Sequence, residues 1–122
     1  MGKKIMILED DEATAELIRF YLKEEGLETA VSSKGAGFAD KVAEFQPDLI
    51  TLDVMLPDTD GFTVLKTLQE DDRINNIPVV FVSVLEREKE KGIQMGARGF
   101  VVKPFKEEEL KKTIKSVLEK EL

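Results

Sequence analysis

The stretch TLDVMLPDTDG, residues 51–61, decides the fold. It starts inside a short run of apolar and β-branched residues, LITL at positions 49–52, and this run ends at the carboxylate of Asp53. A carboxylate at such a point either caps a helix or takes part in chemistry. The residues after Asp53 stay apolar up to Pro57, and the turn residues, Pro57, Asp58, Asp60 and Gly61, come only later. A helix cap is therefore the weaker interpretation. Asp53 is therefore the first candidate functional residue.

The composition restricts the chemistry that the chain can perform. It has 122 residues, which suits one domain with a single core, and a formal net charge of −7. With no cysteine and no histidine, the sequence excludes disulfides, thiolate or imidazole metal sites and histidine general bases. Its apolar runs are far shorter than the roughly 20 residues that cross a bilayer, and no signal-peptide pattern is present, so we expect a cytoplasmic protein with no membrane contact. The negative charge argues against direct binding of nucleic acid and suits a cation site.

Apolar runs and helical patterns alternate along the chain. We predict strands over residues 4–8, 27–32, 49–53, 79–82 and 100–102. We predict helices over residues 13–25, 38–45, 62–68, 86–95 and 107–122, the fourth with a solvated, highly charged face. Strands that are apolar on both faces and alternate with helices indicate an α/β fold. It is a three-layer sandwich in which a five-stranded parallel sheet lies between five helices.

Polar side chains follow four of the five predicted strands. They are Glu9, Asp10 and Asp11 after the first strand, Asp53 after the third, Ser83 after the fourth and Lys103 after the fifth. Because ligands bind at the carboxyl ends of parallel strands, these residues form the candidate site. Crowded carboxylates repel one another unless a cation neutralises them. Mg²⁺ suits a site with few protein oxygen ligands, whereas Ca²⁺ needs more ligands than this edge supplies.

The residues at this edge suit phosphoryl chemistry. A lysine ammonium and a serine hydroxyl both fit the oxygens of a tetrahedral anion. With Mg²⁺, Lys103 and Ser83 taking charge from those oxygens, Asp53 can attack phosphorus in line and hold the group as an acyl phosphate. Asp53 is then a candidate nucleophile as well as a candidate metal ligand.

The chain resembles a response-regulator receiver domain of two-component signalling, with the chemotaxis-regulator-like fold. Four segments carry the resemblance: ILEDDE at 7–12, PDLITLDVMLPDTDGF at 47–62, VVFVS at 79–83 and GFVVKPF at 99–105. In this order and spacing they are highly specific, and the resemblance covers essentially the whole chain. It implies a flavodoxin-like strand order 2-1-3-4-5 and one receiver domain over residues 1–122, with no output domain in this chain.

The resemblance also assigns roles in metal binding. It implies that Asp53 is the phosphoacceptor and that Asp10, Asp53 and the backbone carbonyl of Met55 bind Mg²⁺. Glu9 would reach the metal through water. Asp11 is the alternative metal ligand, because three consecutive acids make the assignment ambiguous, although a helix dipole also favours Asp11 as an ordinary first-turn acid.

Further residues correspond to the switch and the anion-binding group of the family. Ser83 corresponds to the switch hydroxyl, Phe100 to the switch aromatic and Lys103 to the phosphate-binding lysine. A cis peptide bond is implied between Lys103 and Pro104. The chain departs from the family in having Val84 after the switch hydroxyl, where alanine is common, and in having phenylalanine in place of a tyrosine or histidine at position 100.

The function implied is a phosphorylation-activated switch. A sensor histidine kinase or phosphotransfer protein would donate a phosphoryl group to Asp53 in the presence of Mg²⁺. Ser83 and Phe100 would then change the affinity of the face formed by the fourth helix, fifth strand and fifth helix for a downstream protein. The resemblance implies no enzyme activity beyond the chain's own phosphorylation and dephosphorylation. It is compatible with a monomer or a phosphorylation-dependent dimer.

Two other functions compete with this one. A small Mg²⁺-dependent phosphohydrolase of the haloacid-dehalogenase type also uses a strand-end aspartate, but it needs a second acid two residues later, where this chain has Met55. A receiver-like interaction module that never accepts phosphate is the third interpretation. The intact set of Asp10, Asp53, Ser83 and Lys103 argues against it.

Overall fold

The computed structural model describes residues 2–120, which form five strands and five α-helices. The strands are β1 Lys4–Leu8, β2 Glu28–Ser32, β3 Leu49–Leu52, β4 Val79–Ser83 and β5 Gly99–Val102. The helices are α1 Glu12–Glu24, α2 Phe38–Phe45, α3 Gly61–Gln69, α4 Lys89–Gln94 and α5 Glu107–Lys120, and a 3₁₀ turn, Glu86–Glu88, precedes α4. The predicted end of the last helix, residues 121–122, lies outside the described residues.

The strands form one parallel sheet in the order β2-β1-β3-β4-β5. The predicted α/β fold and strand order are therefore confirmed. One row of the sheet pairs Leu8 with Leu52, Leu52 with Phe81 and Phe81 with Phe100. Because Leu8 and Leu52, the last residues of β1 and β3, are paired with each other, the residues that follow them leave the sheet side by side.

The two faces of the sheet carry separate hydrophobic cores. One core lies against α2 and α3 and contains Phe38, Leu65 and Phe81 among its buried residues. The other lies against α1 and α5 and contains Ile18 and Ile114. Strands covered on both faces need apolar side chains on both faces, which explains why β1, β3 and β4 are almost continuously apolar. Within the described residues, no helix has the length and apolar character needed to span a membrane.

Local hydrogen bonds fix the starts of two helices beside the sheet edge. Asp11 caps α1, because its side chain accepts from the backbone N of Thr14 at 2.9 Å. Asp60 caps α3 in the same way, since it accepts from the backbone N of Thr63 at 2.9 Å. Both caps lie next to the acidic residues that the sequence singled out, so the helices start where the candidate site begins.

The structure differs from the predicted boundaries by one or a few residues at several elements. The predicted helix over 86–95 begins as a 3₁₀ turn and is α-helical only over Lys89–Gln94, because Gly92 alone is buried there and little apolar surface holds the first turn. The strand β2 starts at Glu28 because the N–H of Leu27 still donates to Leu22 O at the end of α1, 3.2 Å away. The strand β4 includes Ser83, and β3 ends at Leu52.

We expect Phe81→Ala to lower the free energy of unfolding by about 3–5 kcal/mol, the usual cost of truncating a buried aromatic ring. Phe81 is 0% exposed, and its ring centroid lies 5.4 Å from that of Phe62 and 5.8 Å from that of Phe100. The matched control is Phe20→Ala, because Phe20 is 59% exposed and its truncation should cost less than about 1 kcal/mol. Urea denaturation measures both values. A similar loss in the two variants would contradict this account of the core.

Candidate functional site

Three carboxylates meet at the carboxyl ends of β1 and β3. Glu9, Asp10 and Asp53 each offer an oxygen within 4.8 Å of those of the other two. Glu9 and Asp53 are buried, with 2% and 6% of their surface exposed, whereas Asp10 is exposed. The cluster is therefore a recessed acidic site that opens to solvent on the side of Asp10.

Lys103 supplies the positive charge of this site from the end of β5. Its Nζ lies 2.7 Å from Asp53 Oδ2 and 2.7 Å from Glu9 Oε1. Burial lowers the pKa of Lys103, but the hydrogen bonds and charges of Asp53 and Glu9 outweigh burial and leave this pKa raised. Burial raises the pKa of Glu9, and the ion pair with Lys103 only partly offsets that effect. The site therefore keeps its ammonium protonated while it disfavours charge on Glu9.

The structure leaves acceptor capacity in this cluster that suits a cation. Glu9 Oε2 accepts from the backbone N of Asp11 at 3.1 Å, and the buried Oε1 has no polar partner among the described residues other than the Lys103 ammonium, 2.7 Å away. Three carboxylates against one ammonium leave an excess of negative charge. Hard oxygen donors with excess negative charge are the ligand set of Mg²⁺ and Ca²⁺, so the residues present fit a divalent cation.

The residues between β3 and α3, 53–60, form the site loop. Met55 donates its backbone N–H to Asp53 Oδ1 at 3.2 Å and pairs with Asp60 in an antiparallel bridge. Gly61 donates its N–H to Val54 O at 2.7 Å, and a Cβ on Gly61 would lie 2.2 Å from Asp53 O. Only glycine permits that approach, so the loop folds back on the backbone of Asp53 and places Met55 beside the carboxylate. The Met55 side chain is 57% exposed.

The two predicted switch residues lie in the adjacent strands. Ser83 is buried at the end of β4, and its Oγ accepts from the backbone N of Leu85 at 3.2 Å. Phe100 is buried in β5, where its ring packs on Phe81, and a Cβ on Gly92 would lie 3.6 Å from its Cδ2. The sequence-based mechanism has Phe100 enter space that Ser83 vacates, and the structure shows a ring that is already packed. The movement stays a prediction.

Other sequence-based candidates have clear places in the structure. The carboxylate of Asp11, the alternative metal ligand, caps α1, and its hydrogen bonds from the Thr14 side chain and N–H lower its pKa. Glu9 and Asp10 are thus the two acids of the 9–12 run that join Asp53. The peptide bond between Lys103 and Pro104 is cis.

Sequence reasoning missed the role of Asp58, which it treated only as a turn residue. The Asp58 carboxylate accepts from the backbone N–H groups of Gly35 and Ala36, at 2.9 and 2.8 Å. These partners lie 23 and 22 residues away along the chain. Backbone donors leave no trace in side-chain identity, so no sequence pattern could have identified this contact.

The chain belongs to the response regulator receiver domain family, whose model matches residues 5–115. The polar-differentiation response regulator DivK of Brucella anthropi is 35% identical over 120 residues, which are 97% of this chain and 98% of DivK. The transcriptional regulatory protein GltR of Pseudomonas aeruginosa is 33% identical over 119 residues, 96% of this chain but 49% of GltR. The chain thus spans about half the length of this transcriptional regulator and nearly all of DivK. As a receiver domain, it is a two-component signalling domain of a kind found in regulators.

Solved structures agree with this assignment. A chemotaxis response regulator of Vibrio cholerae superposes with a TM-score of 0.88 at 25% identity, over 96% of this chain and 99% of that one. The receiver domain of a sensor histidine kinase from Pseudomonas aeruginosa superposes with a TM-score of 0.87 at 21% identity, over 98% and 99% of the two chains. That structure has a magnesium ion coordinated in its active-site cleft.

We expect Lys103→Met to lower the free energy of unfolding by about 3–5 kcal/mol near pH 7 without Mg²⁺, since removing one partner of a buried ion pair leaves uncompensated charge. Burial already raises the pKa of Glu9 above 4.5, and the variant favours its protonated form further. The loss should therefore be largest above the pKa of Glu9 in the variant and should shrink as the pH falls from there to the raised pKa of Glu9 in the unsubstituted protein. Urea denaturation over this pH range measures it.

The control for this prediction is Lys115→Met, which breaks an ion pair with Glu25 but removes a side chain that is 53% exposed. Solvent screens this pair, so no comparable loss is expected. An equal loss in the two variants, or a loss in Lys103→Met that does not change with pH, would contradict the assigned role of Lys103.

Proposed function

We propose that this chain is a phosphorylation-activated switch in which Asp53 accepts a phosphoryl group from a phosphohistidine. The donor would be a sensor histidine kinase or a phosphotransfer protein, because the chain has no histidine of its own. The observation that carries the proposal is the placement of Asp53. Its carboxylate is buried at the end of β3, with Lys103 on one oxygen and the Met55 N–H on the other. A single receiver domain over residues 1–122 is part of the proposal.

The transfer is an in-line displacement at phosphorus. An Asp53 oxygen forms the new O–P bond, the P–N bond to the donor imidazole breaks, and the leaving imidazole takes its proton from solvent. The Lys103 ammonium lies 2.7 Å from Asp53 Oδ2, close enough to pair with a negatively charged phosphoryl oxygen once the group is on Asp53. Glu9 holds the same ammonium from the other side, so Lys103 stays in place when its partner becomes an acyl phosphate.

Asp10, Asp53 and the Met55 backbone carbonyl are the proposed direct ligands of Mg²⁺, with Glu9 contacting it through water. When bound, Mg²⁺ neutralises negative charge on the carboxylates and on the phosphoryl oxygens. The buried Glu9 Oε1, whose polar partner among the described residues is Lys103 alone, and the excess negative charge of the cluster support this role. The magnesium ion in the related receiver domain of the Pseudomonas aeruginosa kinase supports it as well.

The proposed output passes through Ser83 and Phe100. The Ser83 hydroxyl accepts from the Leu85 N–H, and turning to donate to a phosphoryl oxygen would release that N–H and shift the segment between β4 and α4. Phosphorylation would then select the conformer in which Phe100, now packed on Phe81, fills the space that Ser83 vacates. The face of α4, β5 and α5 would thereby change its affinity for a downstream protein. This face could also form a phosphorylation-dependent dimer of an otherwise monomeric chain. We place this function in the cytoplasm, without direct contact to nucleic acid or membrane.

A phosphohydrolase of the haloacid-dehalogenase type is the weaker alternative. Such an enzyme needs a carboxylic acid two residues after the nucleophile to protonate the leaving group. Met55 occupies that position, and its largely exposed side chain carries no acidic group. The site therefore has a nucleophile and a place for metal, but no general acid at that position.

We expect incubation with Mg²⁺ and acetyl phosphate to add one phosphoryl group to the protein, as measured by intact mass. Asp53→Asn should abolish the addition, while Asp72→Asn, an exposed acid outside the site, should leave it unchanged. Chelation of Mg²⁺ should also prevent it. Unchanged addition to Asp53→Asn would move the site elsewhere, and equal addition without Mg²⁺ would remove the metal role. Sustained release of phosphate from phosphate esters would favour the phosphohydrolase.

Magnesium should raise the melting temperature of the unphosphorylated protein in a concentration-dependent way. A cation at a hundredfold excess over its dissociation constant adds about 2.7 kcal/mol to the free energy of unfolding. Asp10→Asn should weaken this shift and should itself melt higher than the wild type without Mg²⁺, because it relieves carboxylate repulsion. Glu12→Gln, an exposed acid in the first turn of α1, is the control. Calorimetry across a Mg²⁺ titration measures the shift, and a flat titration or an equal shift in Asp10→Asn would refute the site.

A further inference from the structure

The site loop is tied to a second loop through one side chain. The second loop, residues 33–37, connects β2 to α2, and Asp58 in the site loop grips it with both carboxylate oxygens. Oδ1 accepts from Gly35 N at 2.9 Å, and Oδ2 accepts from Ala36 N at 2.8 Å. The hydrogen bond from the Gly35 N–H, and to a smaller extent that from the Ala36 N–H, holds the pKa of Asp58 below its ordinary value. The carboxylate therefore stays ionised at neutral pH, with charge-assisted hydrogen bonds on both oxygens.

The two loops also approach each other more closely than most side chains would permit. A Cβ on Gly35 would lie 2.6 Å from Thr59 Cγ2, 3.1 Å from Val64 Cγ2 and 3.7 Å from Asp58 Oδ1. Thr59 follows Asp58 in the site loop, and Val64 lies in α3. Glycine at position 35 thus lets the backbone of the second loop come within hydrogen-bond distance of Asp58.

Contacts at both ends and at the turn hold the site loop, which begins with Asp53. At one end of the site loop, the Asp53 N–H donates to Leu8 O at 3.2 Å, and Met55 is bridged to Asp60. At the other end, Asp60 caps α3. Asp58 lies at the turn between these points, so the second loop is the external support for the segment that carries Met55. Rigid support of this kind keeps a reacting group in its productive geometry.

We propose that Asp58 is a positioning residue for the phosphorylation of Asp53. By gripping Gly35 and Ala36, it holds the site loop in the conformation in which the Met55 backbone lies against the Asp53 carboxylate. The inference rests on the proposed function, because it concerns the rate at which Asp53 takes up a phosphoryl group. Asp58 touches neither the phosphoryl group nor the metal in this proposal and acts only through the loop.

Charge and position predict opposite effects when Asp58 is removed. Asp58→Ala takes away one negative charge near a site that receives an anionic donor, and electrostatics alone would then make phosphorylation faster. Loss of the grip instead loosens the site loop and makes phosphorylation slower. The sign of the change therefore separates a positioning residue from a bystander charge.

The experiment measures the rate constant for phosphorylation of Asp53 by acetyl phosphate at saturating Mg²⁺, below the melting temperature of every variant. We expect Asp58→Ala to be slower by about tenfold, which is below the roughly hundredfold loss that a 1 Å misplacement of a reacting group can cause. Asp58→Asn should be intermediate, because the amide keeps one acceptor oxygen. Asp72→Ala is the control: it removes an exposed acid outside both loops and should not slow the reaction.

A second readout needs neither donor nor metal. In the Mg²⁺-free protein, Asp58→Ala should shift the NMR signals of the Gly35 and Ala36 amides and also that of the Met55 amide, which donates to Asp53 Oδ1. Asp72→Ala should leave all three unchanged. A role in overall stability alone would lower the melting temperature without moving the Met55 amide in the folded protein.

The close approach at Gly35 provides a test that keeps the Asp58 carboxylate. Gly35→Ala should push the loops apart and slow phosphorylation, because its Cβ meets Thr59 Cγ2. Adding Thr59→Ser removes that methyl group and should restore much of the rate. A double variant no faster than Gly35→Ala would contradict the proposed contact between the loops.

The outcomes separate this inference from the proposed function. If the wild type takes up no phosphoryl group, or takes it up at a residue other than Asp53, the proposed function fails. If the wild type is phosphorylated on Asp53 and Asp58→Ala reacts at the same rate or faster, only the positioning role is overturned. A slower Asp58→Ala in which the Met55 amide does not move overturns it as well.

Discussion

The buried ion pairing of Lys103 with Glu9 and Asp53 is the interaction on which the site depends. Two carboxylates cannot both be ionised in a recessed site without a counter-charge, because desolvation and mutual repulsion favour protonation. Lys103 Nζ lies 2.7 Å from an oxygen of each. Its side chain comes from the end of β5, while the carboxylates come from the ends of β1 and β3. Because all strands are parallel, these ends share one edge of the sheet, and the order β2-β1-β3-β4-β5 places β1 next to β3 there.

The backbone supplies the rest of the order around Asp53. The Asp53 N–H is held by Leu8 O, its Oδ1 by the Met55 N–H, and its carbonyl region by the close approach of Gly61. These contacts need no particular side chain except the absence of one at Gly61. Asp53, the proposed nucleophile, is therefore held by the sheet and its first turn, whereas Asp10 lies on the open side of the cluster and is exposed. A rigidly held carboxylate with an open side suits the proposed transfer of a phosphoryl group from a donor protein.

The sequence predicted the sheet and the strand-end residues because both follow from short-range patterns. Apolar runs that alternate with helical periodicity define β1 and β3 almost to the residue, and the polar residue after each run is visible directly. The contacts that it missed join distant backbone atoms or depend on packing. The hydrogen bond from the Gly35 backbone N–H to Asp58 leaves no recognisable pattern of side chains in the sequence. The packing of Phe100 on Phe81 depends on the register of β4 and β5. The 3₁₀ start of α4 likewise reflects how little of that helix is buried.

The small buried surface of α4 makes it the helix that is easiest to displace. Phe62, Phe81 and Phe100 form a row of rings from the start of α3 across β4 to β5. The helix α4 rests on this row through Lys91, whose Nζ lies 4.2 Å from the Phe62 ring centroid, and through Gly92, where a Cβ would lie 3.0 Å from Phe81 Cδ2. A six-residue helix with one buried residue has little packing energy to resist a change in that row. Because Phe62 lies in the first turn of α3, two residues after the site loop, a shift of that loop has a short packed route to α4.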